Sequence, residues 1–139
     1  MISIFRKKCF ILIIILTFFH CKKEEKKEVD IYDWHTITVT ASAYNSLAYQ
    51  TNSNPSITAF GDSLSPGMSC IAVSRDLLKM GLKHNTPVKI EGFDSIYLVK
   101  DKMNARWKKH IDIYMGTDIK AARNWGRREV IISYGILKE

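Results

Sequence analysis

The chain has 139 residues, 46% hydrophobic and 25% charged, with 21 Lys and Arg against 14 Asp and Glu for a formal net charge of +7. That length leaves room for one small domain and little else. Of its three cysteines, Cys9 lies in an apolar leader and Cys21 directly follows it, so Cys70 has no partner and a disulfide framework is excluded.

Residues 1–20 read as an export signal. Arg6, Lys7 and Lys8 form a positive start, and residues 9–19 are an unbroken apolar run of eleven, too short to span a bilayer. Phe18-Phe19-His20 lacks the small residue that usually precedes a cleavage site. Even so, Cys21-Lys22-Lys23 resembles a bacterial lipoprotein signal, which implies lipidation of Cys21 and attachment to a membrane, with placement in the outer membrane or periplasm. A signal anchor and a soluble secreted protein are the alternatives. Residues 22–30 (KKEEKKEVD) are too charged to fold and read as a tether, so the expected organisation is signal 1–20, tether 21–34 and domain 35–139. Without the three signal cations, 18 basic residues face 14 acidic ones, a balance of about +4 that suits an anionic polymer such as the cell wall. Export also removes the chain from cytoplasmic nucleic acid, so no nucleic acid partner is expected.

The folded part reads as short strands broken by turn signals. Residues 36–44 (TITVTASAY) alternate as a half-buried strand does, and residues 45–67, rich in Asn, Ser, Pro and Gly, form a long loop. Residues 69–73 are the next strand, 75–80 a helical turn closed by Gly81, and 87–91 and 96–100 two strands turned around Gly92. A basic loop follows, then a strand at 111–114, a helix at 118–125 ended by Gly126, and a last strand at 129–135. The helix spacing places Ala121, Ala122 and Trp125 on a buried side, with Lys120 and Arg123 reaching water. Six strands and two short helices predict a mainly β fold closed into a small barrel.

Asp101 and Asp112 are the candidate chemical groups. They bracket a loop carrying Lys102, Arg106, Lys108, Lys109 and His110, and Asp112 lies within the apolar run Ile111-Asp112-Ile113. A carboxylate there must be paired, hydrogen-bonded or held protonated. Burial and a charged Asp101 raise its pKa, inward-pointing cations lower it, and the sequence leaves that balance open. Trp107 and Tyr44 offer flat faces to sugar rings, Asn104 suits an acetamido group, and Arg106 joins them as a substrate-binding candidate. The other reading makes both aspartates structural acceptors and residues 108–110 a solvated charged turn. The histidines have no metal-ligand spacing, and no metal or other cofactor is expected.

The motif order Thr40-Ala41-Ser42-Ala43-Tyr44, residues 67–73 (GMSCIAV), Met80-Gly81 followed by residues 88–92 (VKIEG), Asp101, Asp112 and residues 121–130 (AARNWGRREV) resembles the 3D domain, a family named for three aspartates. The resemblance covers roughly residues 36–135. It implies a six-stranded double-psi β-barrel acting on the glycan strands of peptidoglycan, as in membrane-bound lytic murein transglycosylase A, with Asp112 matching the aspartate that serves there as acid and base. This chain departs from the pattern in three places. Ser74 follows Ala72-Val73 where the first aspartate stands, with Asp76 two positions on as a substitute; residues 102–106 replace a double-glycine loop; and the second domain that completes the glycan groove of that enzyme has no counterpart, which leaves room for a partner protein. Two functions follow: a glycan-cleaving enzyme, either lytic transglycosylase or hydrolase, or a non-catalytic barrel that binds peptidoglycan or an envelope partner.

Overall fold

A computed structural model describes residues 30–46 and 56–139; the signal, Cys21 and the tether as far as residue 29 lie outside the described residues. The elements, in chain order, are β1 (Tyr32–Tyr44), β2 (Cys70–Val73), α1 (Arg75–Lys79), β3 (Pro87–Ile90), β4 (Ile96–Lys102), β5 (His110–Tyr114), α2 (Ile119–Trp125) and β6 (Arg128–Leu137). The strands close into a six-stranded barrel in the order β1-β5-β2-β4-β3-β6. Closure pairs both sides of every strand and leaves no free edge. Two neighbouring pairs, β1 with β5 and β2 with β4, run parallel, and the other pairs are antiparallel.

Period-two alternation decides what fills the barrel. Val39 and Ala41 of β1, Ile71 and Val73 of β2, Val88 and Ile90 of β3, Tyr97 and Val99 of β4, Ile111 and Ile113 of β5, and Val130, Ile132 and Tyr134 of β6 form one core. Each fully buried aliphatic side chain contributes about 1.5–3 kcal/mol relative to exposure. Leu77 of α1 and the following Leu82 join the same core. Between them the chain turns at Gly81, whose φ of +112° suits a residue without a Cβ.

β1 begins four residues before the alternation becomes visible in sequence at Thr36. Aromatic contacts extend it: Tyr32 packs over Gly135, Trp34 donates its indole N–H to Asp30 at 2.6 Å, and the Lys89 ammonium lies 3.8 Å from the Trp34 ring centroid. On α2 the Asp118 carboxylate caps the Ala121 N–H at 2.9 Å. Ala121, Ala122 and Trp125 are half-buried while Lys120 and Arg123 are exposed, so the expected faces hold although no α2 residue is fully buried. Trp125 packs on Phe93 with ring centroids 5.1 Å apart.

Two boundaries shift in ways that matter for the site. β4 runs past Lys100 to include Asp101, and β5 starts at His110, which the sequence placed in the basic turn. His110 is fully buried and is therefore a wall residue and not part of a solvated turn.

Candidate functional site

One row of side chains crosses four neighbouring strands on the outside of the barrel. Ser42 on β1 opposes Asp112 on β5, Asp112 opposes Ala72 on β2, and Ala72 opposes Asp101 on β4. Directly opposed residues share a face, and the adjacent Ala41, Ile71, Ile111 and Ile113 point into the core. Simple alternation along β4 does not achieve this placement. Ile71 opposes Val99 and Ala72 opposes Asp101, so the register passes over Lys100 and turns Asp101 onto the face of Asp112. The aspartate backbones are separated by two interstrand steps, roughly 10 Å.

Asp112 is half-buried, and its Oδ1 accepts the Ser42 hydroxyl proton at 3.0 Å. Burial pushes its carboxyl from an ordinary 3.8 up to about 6; the Ser42 hydrogen bond opposes the rise and the charge of Asp101 adds to it. Lys102, Arg106, Lys108 and Lys109 are all exposed, so burial wins the contest that the sequence left open.

His110 stands behind this pair. Its Nε2 is 2.8 Å from Ser42 Oγ, giving the chain Asp112–Ser42–His110. Ser74, also fully buried, anchors it: the His110 N–H donates to Ser74 Oγ at 3.1 Å and the Ser74 N–H donates to the His110 carbonyl at 2.9 Å. Trp107 covers the imidazole with ring centroids 4.6 Å apart. Burial, followed by the charge of Arg127, holds the His110 pKa below its usual value, which favours the neutral ring.

The basic loop is ordered by its own polar groups. Asn104 Oδ1 accepts the Arg106 N–H at 3.1 Å, and the Trp107 N–H donates to the Asn104 carbonyl at 3.1 Å. Arg106 and Arg127 lie 5.2 and 5.3 Å from the Trp107 ring centroid. At the loop's end Lys109 takes a φ of +42°, unusual for a residue with a side chain. Asp76 accepts its N–H at 2.8 Å and its carbonyl accepts the Thr40 N–H at 2.9 Å. Burial acts to raise the Asp76 pKa, but the Ser74 hydroxyl, the Lys109 N–H and the Lys108 charge outweigh it and hold the carboxyl ionised. Asp76 thus fastens the loop from α1, outside the row that carries Asp101 and Asp112.

Asp101 is likewise an acceptor for backbone. Its Oδ1 takes the N–H of Ala59 and that of Lys102, each at 2.8 Å, tying residues 56–64 to β4. A second tie lies beside it: Asp62 meets Lys100 at 3.0 Å and His84 at 2.5 Å, and Lys100 also donates to Asn85 at 2.6 Å. The Lys100 hydrogen bond is the main reason that the Asp62 carboxyl sits below its usual range.

Tyr44 faces outward on β1 but is not an open platform. It packs at a tilt against Tyr114, ring centroids 5.4 Å apart, within a second apolar cluster that includes Leu64, Met68 and Cys70. Burial raises its phenol pKa above the usual value, and the nearby charges of Asp101 and Asp112 add to the rise. Its hydroxyl has no hydrogen-bond partner among the described residues. Burial likewise pushes the Cys70 thiol up to about 11, as expected for a small buried residue. No group of three His, Cys, Asp or Glu able to hold a metal occurs among the described residues.

The structure therefore links Asp112 through Ser42 to His110 beneath Trp107, with Arg106 beside that ring and Asn104 in the same turn, places Asp101 two strands away, and packs Tyr44 among Tyr114, Leu64, Met68 and Cys70. Ser42, His110 and Arg127 belong to the same region and were not singled out by sequence. The visible signal was the outward parity of Ser42 with Tyr44; the parallel register that brings it to Asp112 is not encoded by any local pattern. Comparison of the chain with protein-family models and with curated proteins finds no match to either.

Proposed function

We propose that this chain is an exported, envelope-tethered enzyme of the 3D type that cleaves peptidoglycan glycan strands as a lytic transglycosylase, with Asp112 as acid and then base. The observation that carries the reading is the half-buried Asp112 carboxyl on the outer wall, with a pKa of about 6 and, among the described residues, only one oxygen committed to a protein donor. A general acid works best with a pKa near the operating pH, and an ordinary aspartate is too strong an acid to hold a proton there.

In the proposed reaction, protonated Asp112 gives its proton to the glycosidic oxygen as the bond to the sugar's anomeric carbon breaks. The resulting carboxylate then takes the proton of that sugar's 6-hydroxyl while its oxygen bonds to the anomeric carbon. The product is a 1,6-anhydro end, with no net consumption of water. Trp107 supplies a face for a sugar ring, and Arg106 and Arg127 supply positive charge beside it. Asp101 ties residues 56–64 to β4 and disfavours loss of the Asp112 proton by like-charge repulsion. Both parallel pairings support the double-psi form of the barrel. Membrane attachment rests on Cys21, and Cys21→Ser should release the protein from membranes.

The test is solubilisation of isolated peptidoglycan by residues 22–139 across a pH series. Activity is expected to fall as pH rises through about 6, where Asp112 loses its proton. Activity that keeps rising with pH would contradict an Asp112 acid.

A binding module is the second reading, favoured by one observation: Asp101 is engaged by two backbone amides, as a structural carboxylate would be. Peptidoglycan pull-down without solubilisation, unchanged by Asp112→Asn, would support it, as would a partner protein that docks on this face of the barrel.

A further inference from the structure

His110 is a fully buried titratable group beside the row of aspartates, and the reaction proposed above does not use it. Its Nε2 meets Ser42 Oγ at 2.8 Å, while its Nδ1 is buried with no hydrogen-bond partner among the described residues. The two ring nitrogens therefore face opposite demands. A neutral imidazole carries one N–H, and a buried donor without a partner loses its hydration with nothing to replace it. Placing the proton on Nδ1 would strand that donor. Placing it on Nε2 gives the proton to Ser42 Oγ and leaves only an unused lone pair at Nδ1.

The hydroxyl has a single proton, so its direction follows from the imidazole. Accepting from His110 Nε2–H, Ser42 has to donate onward, and the acceptor in reach is Asp112 Oδ1 at 3.0 Å. Oδ1 is thereby occupied as an acceptor whether or not Asp112 is ionised. We infer that His110 and Ser42 are positioning residues that run the hydrogen-bond chain from Nε2–H through the hydroxyl to Oδ1, and so reserve Oδ2 of Asp112 as the oxygen that carries and delivers the acid proton. This refines the acid-base reading of Asp112 and rests on it for its catalytic meaning, but the direction of the chain is a property of the protein alone.

The surroundings hold the arrangement in place. From β2 and α1, the Ser74 backbone and hydroxyl grip the His110 main chain; from the loop, Trp107 covers the ring; and from beyond α2, Arg127 opposes a second proton on it. The titratable groups acting on Asp112 are Asp101 from β4 and Tyr44 from β1, both of which disfavour its ionisation or are disfavoured by it. Ser42 is the one donor that favours the carboxylate.

Nitrogen-15 NMR of His110 in residues 22–139, with carbon-13 titration of Asp112, tests this without any substrate. The expected result is a protonated Nε2 and bare Nδ1 at about pH 7–8, together with a titration of Asp112 that moves upward in Ser42→Ala and stays near wild type in Ser42→Thr, which keeps the hydroxyl. A protonated Nδ1 in the wild type overturns the inference even if the variants fail to fold. So does an Asp112 titration that is unchanged in a folded Ser42→Ala. If the tautomer and the titrations are as expected but peptidoglycan is never cleaved, the positioning chain stands and the enzyme reading falls. If cleavage occurs, Ser42→Ala should shift its pH profile upward along with the Asp112 titration, whereas a merely structural Ser42 would lower activity with no shift.

Discussion

Asp101 and Asp112 face the same side of the barrel wall, each directly opposite Ala72 on the strand between them. Their roles diverge despite that symmetry. Asp101 accepts two backbone N–H groups and ties residues 56–64 to β4, whereas Asp112 accepts a hydroxyl and is held largely protonated in mildly acidic solution.

Asp101→Ala should therefore act on the loop first. Two charge-assisted hydrogen bonds disappear, each worth about 1.5–3 kcal/mol before the released amides find water. The expected outcome is faster amide exchange at Ala59 and Lys102 with a smaller global loss of stability. Asp112 should also titrate lower once the neighbouring charge is gone, which carbon-13 NMR would detect.

Asp112 itself should lower stability in neutral solution. Its pKa in the folded protein, about 6, lies above the unfolded value, so the folded state holds the proton more tightly. Below about pH 4 both states are protonated and no penalty applies. As pH rises from about 4 to 6 the unfolded chain ionises first and stability falls, by roughly 3 kcal/mol at 1.36 kcal/mol per unit, and the full cost persists above about pH 6. Asp112→Asn should be more stable than wild type at pH 7.5 and nearly equal at pH 4, as read by denaturant unfolding. A variant less stable than wild type at pH 7.5 would contradict the buried-carboxyl account.

Trp107→Ala should uncover His110. The histidine pKa is expected to rise toward its ordinary value as burial is relieved, a change visible in proton NMR. If the indole also carries a sugar ring, affinity for glycan fragments should drop on the order of tenfold, about 1.4 kcal/mol.

Lys100→Met separates the two ties that hold residues 56–64. It removes the contacts to Asp62 and Asn85 while Asp101 keeps its amides. Because the Asp62 carboxyl is depressed, its tie acts above the ordinary carboxylate range and is lost as pH falls through the lowered pKa. Exchange at residues 61–63 should accelerate in the variant at neutral pH, with little change at Ala59.

Much of the barrel was legible because its core is written in period-two alternation. Val39 and Ala41, Ile111 and Ile113, and Val130 and Ile132 are each spaced by two, and Gly81 and Gly126 mark helix ends at positive φ. Asp112 stood out because a charge between two isoleucines demands an explanation. Its partners did not stand out, since they depend on register between strands far apart in the chain: Ser42 reaches Asp112 through a parallel pairing of β1 and β5. His110 looked like the end of a basic turn because Lys108 and Lys109 precede it, and only burial beneath Trp107 and fastening to Ser74 reveal it as part of the wall. Asp101 was visible as a residue, but its partner Ala59 lies in a loop whose path local chemistry does not determine.

The most direct test of the central claim is mass spectrometry of the soluble products released from isolated peptidoglycan by residues 22–139 at about pH 5.5, beside the Asp112→Asn variant. The account predicts fragments with 1,6-anhydro ends from the wild type and at least about 100-fold less from the variant, in keeping with loss of a general acid. Release of the same fragments by both proteins, or of none by a folded wild type, would contradict it.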